Sequence, residues 1–278
     1  MRLFLLPIST RRALIYCQYL HQKPTTKLSL VQKTINKVPE TWAKWETAES
    51  GWKKALTRYG NEGLRRIPYQ EWALKSFPPL NDELQAEELS NNQKFDVVFP
   101  ENIVQKEDVP KIMRRLAGER KQLHWKRFIW SLIGLPFTIP FGLIPVLPNI
   151  PFFYLAFRCY SHWRALKGSD HLDFLVDSRL FRPVSTPPME SIYSTPPNFS
   201  KSFTFVTRSQ VLEGVDPEES MLLQPGAHKL VAKNLEVPEL AAEVERAVRQ
   251  VKQSLQRQIE QERQQIGARE KQNDSTRK

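Results

Sequence analysis

Four ionisable side chains in residues 161–173, SHWRALKGSDHLD, could transfer protons or bind a metal ion: His162, Asp170, His171 and Asp173. Imidazole titrates near neutral pH, and imidazole and carboxylate groups are both common metal ligands. The segment therefore predicts a proton or ion relay. Because the spacing matches no standard metal site, the interpretation we favour is a helix at a membrane interface, with its histidines facing headgroups.

Enzyme motifs are missing from the sequence. It contains no P-loop, GxGxxG, HExxH, GxSxG or paired CxxC pattern. We therefore expect no enzymatic activity, no catalytic residue, no bound metal and no cofactor.

The relay candidates follow an apolar stretch, residues 128–157, that carries no charge. Five prolines interrupt it, and each removes a backbone donor, so one continuous helix is not expected. The pattern predicts a short, proline-rich helical hairpin that enters a membrane and returns. Its first helix ends near Leu135, and its second runs from about Asn149 to Trp163. The hairpin positions are Pro136, Pro140, Pro145, Pro148, Asn149 and Pro151.

Basic residues flank the apolar stretch on both sides, which places both of its ends on the same side of a membrane by the positive-inside preference. Aromatic and basic side chains near its ends are the predicted interface anchors. They are Trp125, Arg127, Trp130, Arg158, Tyr160 and Trp163. The alternative is a hairpin buried in the core of a soluble protein.

The composition limits the possible partners. Lys and Arg number 41 against 30 Asp and Glu, a net charge of +11, which favours an anionic surface. We predict anionic lipid as that surface. We predict no nucleic acid, because no recognised nucleic-acid-binding module is present. The mean hydropathy of −0.48 excludes a polytopic membrane protein.

The N-terminal region is basic, with seven Lys or Arg before the first acidic residue, Glu40. Such a composition is typical of a mitochondrial presequence. The apolar runs RLFLLPI and ALIYCQ on either side of STRR instead predict two short strands. Both interpretations are compatible with a mitochondrial destination.

The predicted fold is a mainly α, membrane-associated protein with minor β structure at the N-terminus and near 202–206. Four segments are expected: a basic N-terminal region (1–107), an amphipathic helix with the hairpin (108–178), a proline-rich linker (179–201) and a helical C-terminal region (202–278). FDVVF at 95–99 is a further candidate strand, and the helix after Trp163 is expected to be interrupted near Gly168. The long C-terminal helix forms a coiled coil or docks on the rest of the chain. Its apolar residues Leu240, Val244, Val248, Val251, Leu255 and Ile259 are spaced by three and four.

Several stretches resemble the fungal mitochondrial potassium–proton exchange-related family. They are MRLFLLPISTRRALIYC at the N-terminus, WAKWE at 42–46, EWALKS at 71–76 and PFTIPFGLIPVLPNIPFFYLAFRCYSHWRALKGSDHL at 136–172. The resemblance implies the mitochondrial inner membrane, exchange of matrix K⁺ for protons and control of matrix volume. It also weighs against a cleaved presequence.

On this basis we expect a subunit or regulator of a K⁺/H⁺ exchange system, with most of the chain facing the matrix. Its partners would be other exchanger subunits or further copies of the same chain. The alternative function is a membrane-tethered scaffold or assembly factor with no transport role.

Overall fold

The structure, a computed structural model, describes residues 1–19, 45, 47, 51–91, 93–140, 149–194 and 219–276. The strands are β1 (Arg2–Pro7), β2 (Ala13–Gln18), β3 (Phe95–Val98) and β4 (Phe181–Val184). The helices are α1 (Trp52–Arg65), α2 (Tyr69–Lys75), α3 (Asp82–Asn91), α4 (Val109–Gly118), α5 (Lys121–Thr138), α6 (Ile150–Asp177), α7 (Pro187–Tyr193), α8 (Ala227–Asn234) and α9 (Leu240–Thr276). A short 3₁₀ helix covers Lys106–Asp108. The expectation of a mainly helical protein with minor β structure is confirmed.

The four strands form one mixed sheet in the order β2-β1-β3-β4. β1 and β2 pair antiparallel, with Arg2 opposite Gln18 and Pro7 opposite Ala13. β1 pairs parallel with β3, and β3 pairs parallel with β4. Leu3 to Leu6 are fully buried, as expected for an apolar strand covered on both faces. The strands predicted at the N-terminus and at 95–99 are confirmed.

Part of the predicted proline-rich linker is folded. Residues 181–184 form β4 at the edge of the sheet. Pro183 has no N–H, but the outer side of an edge strand has no partner, so the sheet loses no hydrogen bond there. Helix α7 follows, and the Tyr193 hydroxyl donates to the Pro7 carbonyl at 3.0 Å. Pro187 and Pro188 begin α7, a position that does not need their N–H groups. The predicted strand at 202–206 lies outside the described residues.

Residue contacts divide the chain into two units. The first comprises Met1–Gln18 and Tyr69–Lys278, and it holds the sheet and helices α2 to α9. The second, Tyr19–Pro68, contains α1. The first unit includes parts of all four segments predicted from the sequence.

Helix α6 is a central helix of the first unit and packs against α2, α4 and α5. The predicted interruption near Gly168 is wrong, because α6 continues without a break from Ile150 to Asp177. The glycine instead allows a close approach between helices. A Cβ at position 168 would lie 1.9 Å from the carbonyl oxygen of Leu74 in α2.

The first turns of α9 dock on the same unit, and the rest of the helix extends away from the core. Leu240, Val244 and Val251 are fully buried, whereas Ile259 is 45% exposed. Docking, one of the two alternatives for the C-terminal helix, is therefore observed for its N-terminal part. A coiled coil stays a prediction for the remainder.

Candidate functional site

Helices α5 and α6 are the two helices of the predicted hairpin. The Asn149 side chain caps the start of α6 by accepting from the Phe152 N–H at 3.1 Å, and its amide donates to the Thr138 carbonyl at the end of α5 at 2.6 Å. Asn149 therefore joins the two helices across the intervening residues. Gly134 leaves room for the side chain of Leu155.

The prolines of the hairpin occupy different local environments. Pro136 lies within the last turn of α5. The helix therefore continues past this proline and ends at Thr138, three residues after the predicted end near Leu135. Pro140 follows α5, and Pro151 lies in the first turn of α6, where its missing N–H is tolerated. Pro145 and Pro148 lie outside the described residues.

The charge-free parts of the two helices, which we call the apolar arms, are residues 128–138 and 150–157. They project large apolar side chains outward. Trp130 is 73% exposed, Phe137 74% and Phe153 65%. Large apolar side chains exposed in this number indicate a contact surface. The alternative of a hairpin buried in a soluble core is therefore wrong for these residues. Within the described part of the chain, no helix has the length and apolarity needed to span a bilayer.

The predicted interface anchors lie at or near the ends of the arms. Trp125, Tyr160 and Trp163 are all at least partly exposed, and Arg127 is exposed. Arg158 behaves differently, because its guanidinium turns inward to an acidic residue of α2.

That acidic residue is Glu71, which is fully buried. Arg158 Nη1 donates to Glu71 Oε1 at 2.9 Å and Nη2 donates to Oε2 at 3.2 Å, a two-pronged ion pair. The Ser161 hydroxyl donates to Oε1 at 2.6 Å, and Lys75 Nζ donates to the same hydroxyl at 3.0 Å. One carboxylate on α2 thus holds residues from two successive turns of α6.

A pair of histidines extends this arrangement to α5. Arg158 Nη2 lies 2.9 Å from His162 Nε2, and His162 Nδ1 lies 3.1 Å from His124 Nδ1. Because a guanidinium can only donate, His162 Nε2 accepts, and its ring hydrogen lies on Nδ1. That hydrogen is donated to His124 Nδ1, so the hydrogen of His124 lies on Nε2. We call Glu71, Arg158, Ser161, His162 and His124 the buried polar cluster.

Burial controls the charge of the cluster. It lowers the pKa of both His124 and His162 to about 4, and the nearby Arg158 adds to the effect, so both rings are neutral at pH 7. Burial also favours the neutral form of Glu71, but the hydrogen bond from Ser161 and the ion pair with Arg158 outweigh it, so the pKa lies below its usual value. Burial lowers the pKa of Lys75 to about 8.

The cluster includes three groups of metal-binding type. Single ligand atoms of Glu71, His124 and His162 lie within 4.8 Å of one another. A metal at this point would need the lone pair of His162 Nδ1. The ring hydrogen would then move to Nε2, 2.9 Å from the Arg158 guanidinium, and two donors would face each other. Arg158 already supplies the positive charge that Glu71 needs, so the donor set fits an ion pair better than a metal centre.

The structure places the four predicted relay residues in three separate sets of contacts. His162 belongs to the buried polar cluster. Asp170 and Asp173 pair with Lys121 of α5, at 2.8 and 3.3 Å. Buried His171 contacts the Pro78 carbonyl through Nδ1 at 3.0 Å and the carboxylate of Glu88 through Nε2 at 3.0 Å.

Sequence reasoning missed three members of the cluster, Ser161, Glu71 and His124. Glu71 and His124 lie on α2 and α5, far along the chain from His162 on α6, so no local spacing could reveal them. A partial signal was present in the EWALKS stretch, which contains Glu71 and Lys75. On α6, Arg158, Ser161 and His162 share one helix face because they are three and four residues apart.

The histidine pair predicts a dependence of stability on pH. The unfolded chain takes up protons on both histidines as the pH falls below about 6.5, whereas the folded chain does so only near pH 4. Stability is therefore highest above pH 6.5 and is lost between pH 6.5 and 4. We expect a loss of about 2–4 kcal/mol between pH 7 and pH 5, close to 2 kcal/mol for each histidine, measured by urea unfolding.

Two variants control this experiment. His124→Gln keeps an acceptor for His162 but removes one of the two buried imidazoles, so the loss should become smaller. His228→Gln alters a half-exposed histidine of α8, outside the cluster, and should leave the pH profile unchanged. Equal profiles for the wild type and both variants would contradict the burial account.

The fold and the site define a mainly helical protein with a small mixed sheet, an outward apolar hairpin and a buried polar cluster where the hairpin meets the core. This chain belongs to the mitochondrial K⁺-H⁺ exchange-related family, whose model matches residues 2–176. The match extends from β1 almost to the end of α6, and therefore includes the arms and the whole cluster. The family description implies an association with mitochondria.

Two fungal proteins are similar to this chain. An uncharacterized protein of Schizosaccharomyces pombe is 33% identical over 172 residues, which cover 62% of this chain and 74% of the relative. An uncharacterized protein of Saccharomyces cerevisiae is 26% identical over 197 residues, which cover 62% of each chain. No solved structure matches this chain.

Proposed function

We propose that this protein is a membrane-associated component of a potassium/proton exchange system in the mitochondrial inner membrane. It would act as a subunit or regulator and contribute to matrix K⁺ and volume homeostasis. The observation that carries the proposal is the outward apolar hairpin with basic flanks, in a chain whose family is described as K⁺-H⁺ exchange-related.

The dimensions of the arms suit shallow insertion. Residues 128–138 and 150–157 rise about 16 and 12 Å as helices, roughly half of the hydrocarbon thickness of a bilayer. Exposed Trp125, Tyr160 and Trp163 lie where an aromatic belt at the interface is expected. Exposed Lys126 and Arg127 would contact anionic headgroups. Both arms enter from one side, and by the positive-inside preference their basic flanks, together with the bulk of the chain, would face the matrix.

A role beside a carrier follows from the chemistry of the arms. Residues 128–157 contain no carboxylate, the usual ligand for a cation inside a membrane. Two of their hydroxyls bond the chain itself: Ser131 donates to the Arg127 carbonyl and Thr138 to the Leu135 carbonyl. Any ion path would therefore use groups from other subunits or further copies of this chain.

Of the four predicted relay residues, His162 is the one that contacts a second imidazole, that of His124 on α5. The two rings are joined by a hydrogen bond of fixed direction and connect to Glu71 through Arg158. Since burial keeps both rings neutral at pH 7, the pair joins α5 to α6 and carries no extra proton, and Asp170, His171 and Asp173 face other partners.

The scaffold or assembly function remains the second candidate, and one observation favours it. Among the side chains that the structure describes in α9, Val251 is the last that is fully buried, and the helix continues well beyond it and exposes Ile259 and Ile266. A long exposed helix of this kind offers a surface for a partner protein. Purification of the native complex separates the candidates, because transport proteins should accompany an exchanger component.

Membrane insertion is tested by flotation of the purified chain with vesicles of inner-membrane lipid composition. The wild type should float with the vesicles. Trp130→Glu with Phe137→Glu should reduce the bound fraction about tenfold or more, because each charge would enter hydrocarbon at a cost of about 2.5–3.5 kcal/mol. Leu89→Glu with Leu230→Glu is the matched control, since these exposed leucines lie on α3 and α8. Equal flotation of both double variants would contradict insertion through the arms.

A further inference from the structure

A groove between α5 and α6 lies on the hairpin next to the apolar arms. It has a volume of about 450 Å³, within the range of ligand sites. The α5 wall is formed by Lys121, Gln122, Trp125 and Phe128, and the α6 wall by Trp163, Leu166, Lys167 and Asp170. The residues of each wall are one, three or four positions apart, so each wall is one face of its helix.

The groove is amphipathic along its length. Lys121, Lys167 and Asp170 lie at the end away from the arms, and the aromatic residues lie toward them. Helical spacing continues the apolar rows into the arms, through exposed Leu132 on α5 and through Tyr160 and Phe153 on α6. An acyl chain could therefore follow the groove from the polar end toward the exposed apolar surface.

The two lysines of the groove differ in their partners. Lys121 is held by Asp170 and Asp173. Lys167, by contrast, has no ion-pair partner among the described residues, so its ammonium group remains available for an anion. From residue 111 to 177, the segment that contains most of α4 and all of α5 and α6, ten Lys or Arg stand against four Asp or Glu, a net charge of +6. This excess favours an acidic ligand.

We propose that the groove is a binding site for one acidic phospholipid. Its phosphate binds Lys167, with the Gln122 amide as a second donor, and one acyl chain lies between Trp163 and Trp125. The site rests on the proposed function, since it presupposes a hairpin in contact with a membrane. Its role is to fix the depth and orientation of the hairpin at the bilayer surface.

Native mass spectrometry of the full chain in a zwitterionic detergent tests the site, with phosphatidylglycerol as the probe. Detergent removes the charged bilayer surface, so general attraction to a membrane no longer contributes. We expect one retained phosphatidylglycerol and no retained phosphatidylcholine. Lys167→Gln should weaken retention about tenfold, the effect of losing one charged hydrogen bond.

Lys229→Gln is the matched control, because it removes the same charge from an exposed position of α8, outside both the groove and the hairpin. Equal weakening by both variants, or no retained lipid, would overturn the proposal. Displacement of the lipid by inorganic phosphate would also overturn it, since the site would then bind anions only.

Vesicle flotation of the same variants separates this proposal from the proposed function. Flotation of the wild type without a retained lipid in detergent would remove the groove site and leave membrane insertion standing. A retained lipid without flotation would support lipid binding in the groove and contradict membrane insertion through the arms.

Discussion

Replacing Arg158 by methionine is expected to destabilise the folded chain by about 3–5 kcal/mol. Methionine preserves most of the length of the side chain but leaves Glu71 as a fully buried carboxylate without its cation. The Ser161 hydrogen bond remains but cannot replace the lost charge. Urea unfolding followed by circular dichroism measures the loss.

Removing Glu71, the other partner of the ion pair, should lower the free energy of unfolding less than removing Arg158. The Arg158 side chain is 11% exposed and can move its charge to water, whereas the Glu71 side chain is not exposed at all. Glu71→Gln also keeps an acceptor for Ser161 and Arg158. We therefore expect Arg158→Met to be clearly more destabilising than Glu71→Gln.

A surface ion pair supplies the control. Arg114 pairs with Asp177, and both side chains are 63% exposed, so Arg114→Met should change the free energy of unfolding by less than about 1 kcal/mol.

The NMR titration of His162 gives an independent readout of the Arg158→Met variant. Without the guanidinium the remaining charge of Glu71 favours the imidazolium, so the pKa of His162 should rise from about 4. Equal costs for the two arginine variants, with an unchanged His162, would contradict the described cluster.

The second large effect is expected for Gly168→Ala. The added Cβ would lie 1.9 Å from the Leu74 carbonyl oxygen and 2.8 Å from its carbonyl carbon. These are backbone atoms and cannot rotate away, so α2 and α6 must separate. We expect a cost of at least about 3 kcal/mol, at or beyond the upper end of ordinary overpacking. The separation would also lengthen the contacts of Glu71 with Arg158 and Ser161.

Gly267→Ala is the matched control for this substitution. Gly267 also lies within a helix, α9, but a Cβ there would meet no atom within 4 Å. Because alanine favours a helix over glycine by about 0.5–1 kcal/mol, this variant should be as stable as the wild type or slightly more stable. Thermal unfolding of the two variants gives the comparison. A Gly168→Ala protein as stable as Gly267→Ala would contradict the close approach of α2 and α6.

Local patterns predicted local elements well. The apolar runs around STRR were strong enough to predict β1 and β2, and the prolines between two apolar runs predicted α5 and α6 with Asn149 at the start of the second helix. In contrast, β4 contains a proline and has no alternating pattern, and it is a strand because β3 offers an open edge. Gly168 looked like a helix breaker, because its packing partner Leu74 is distant in sequence.

The candidate site was predictable only in part. His162 was selected for its residue type, but its partners Glu71 and His124 come from other helices, so only the fold brings them together. Arg158 illustrates the same limit. Its position beside an apolar stretch predicted a headgroup contact, whereas a buried carboxylate on α2 provides a stronger partner. Contacts between distant segments decide the role of such residues, and a local pattern does not contain them.

The proposed function requires the outward hairpin to take part in mitochondrial K⁺/H⁺ exchange. Its most direct test is the swelling of isolated mitochondria in potassium acetate. Acetic acid enters and releases protons in the matrix, so swelling requires K⁺ to enter as protons leave. Mitochondria that lack this chain are compared with mitochondria supplied with the wild type, with Trp130→Glu and Phe137→Glu, or with Leu89→Glu and Leu230→Glu. A K⁺/H⁺ ionophore added at the end verifies that every sample can swell.

We expect slow swelling without the chain, recovery with the wild type and with the control variant, and no recovery with the hairpin variant. Swelling at the normal rate without the chain would contradict a role in exchange. Full recovery with the hairpin variant would contradict the role assigned to the exposed arms.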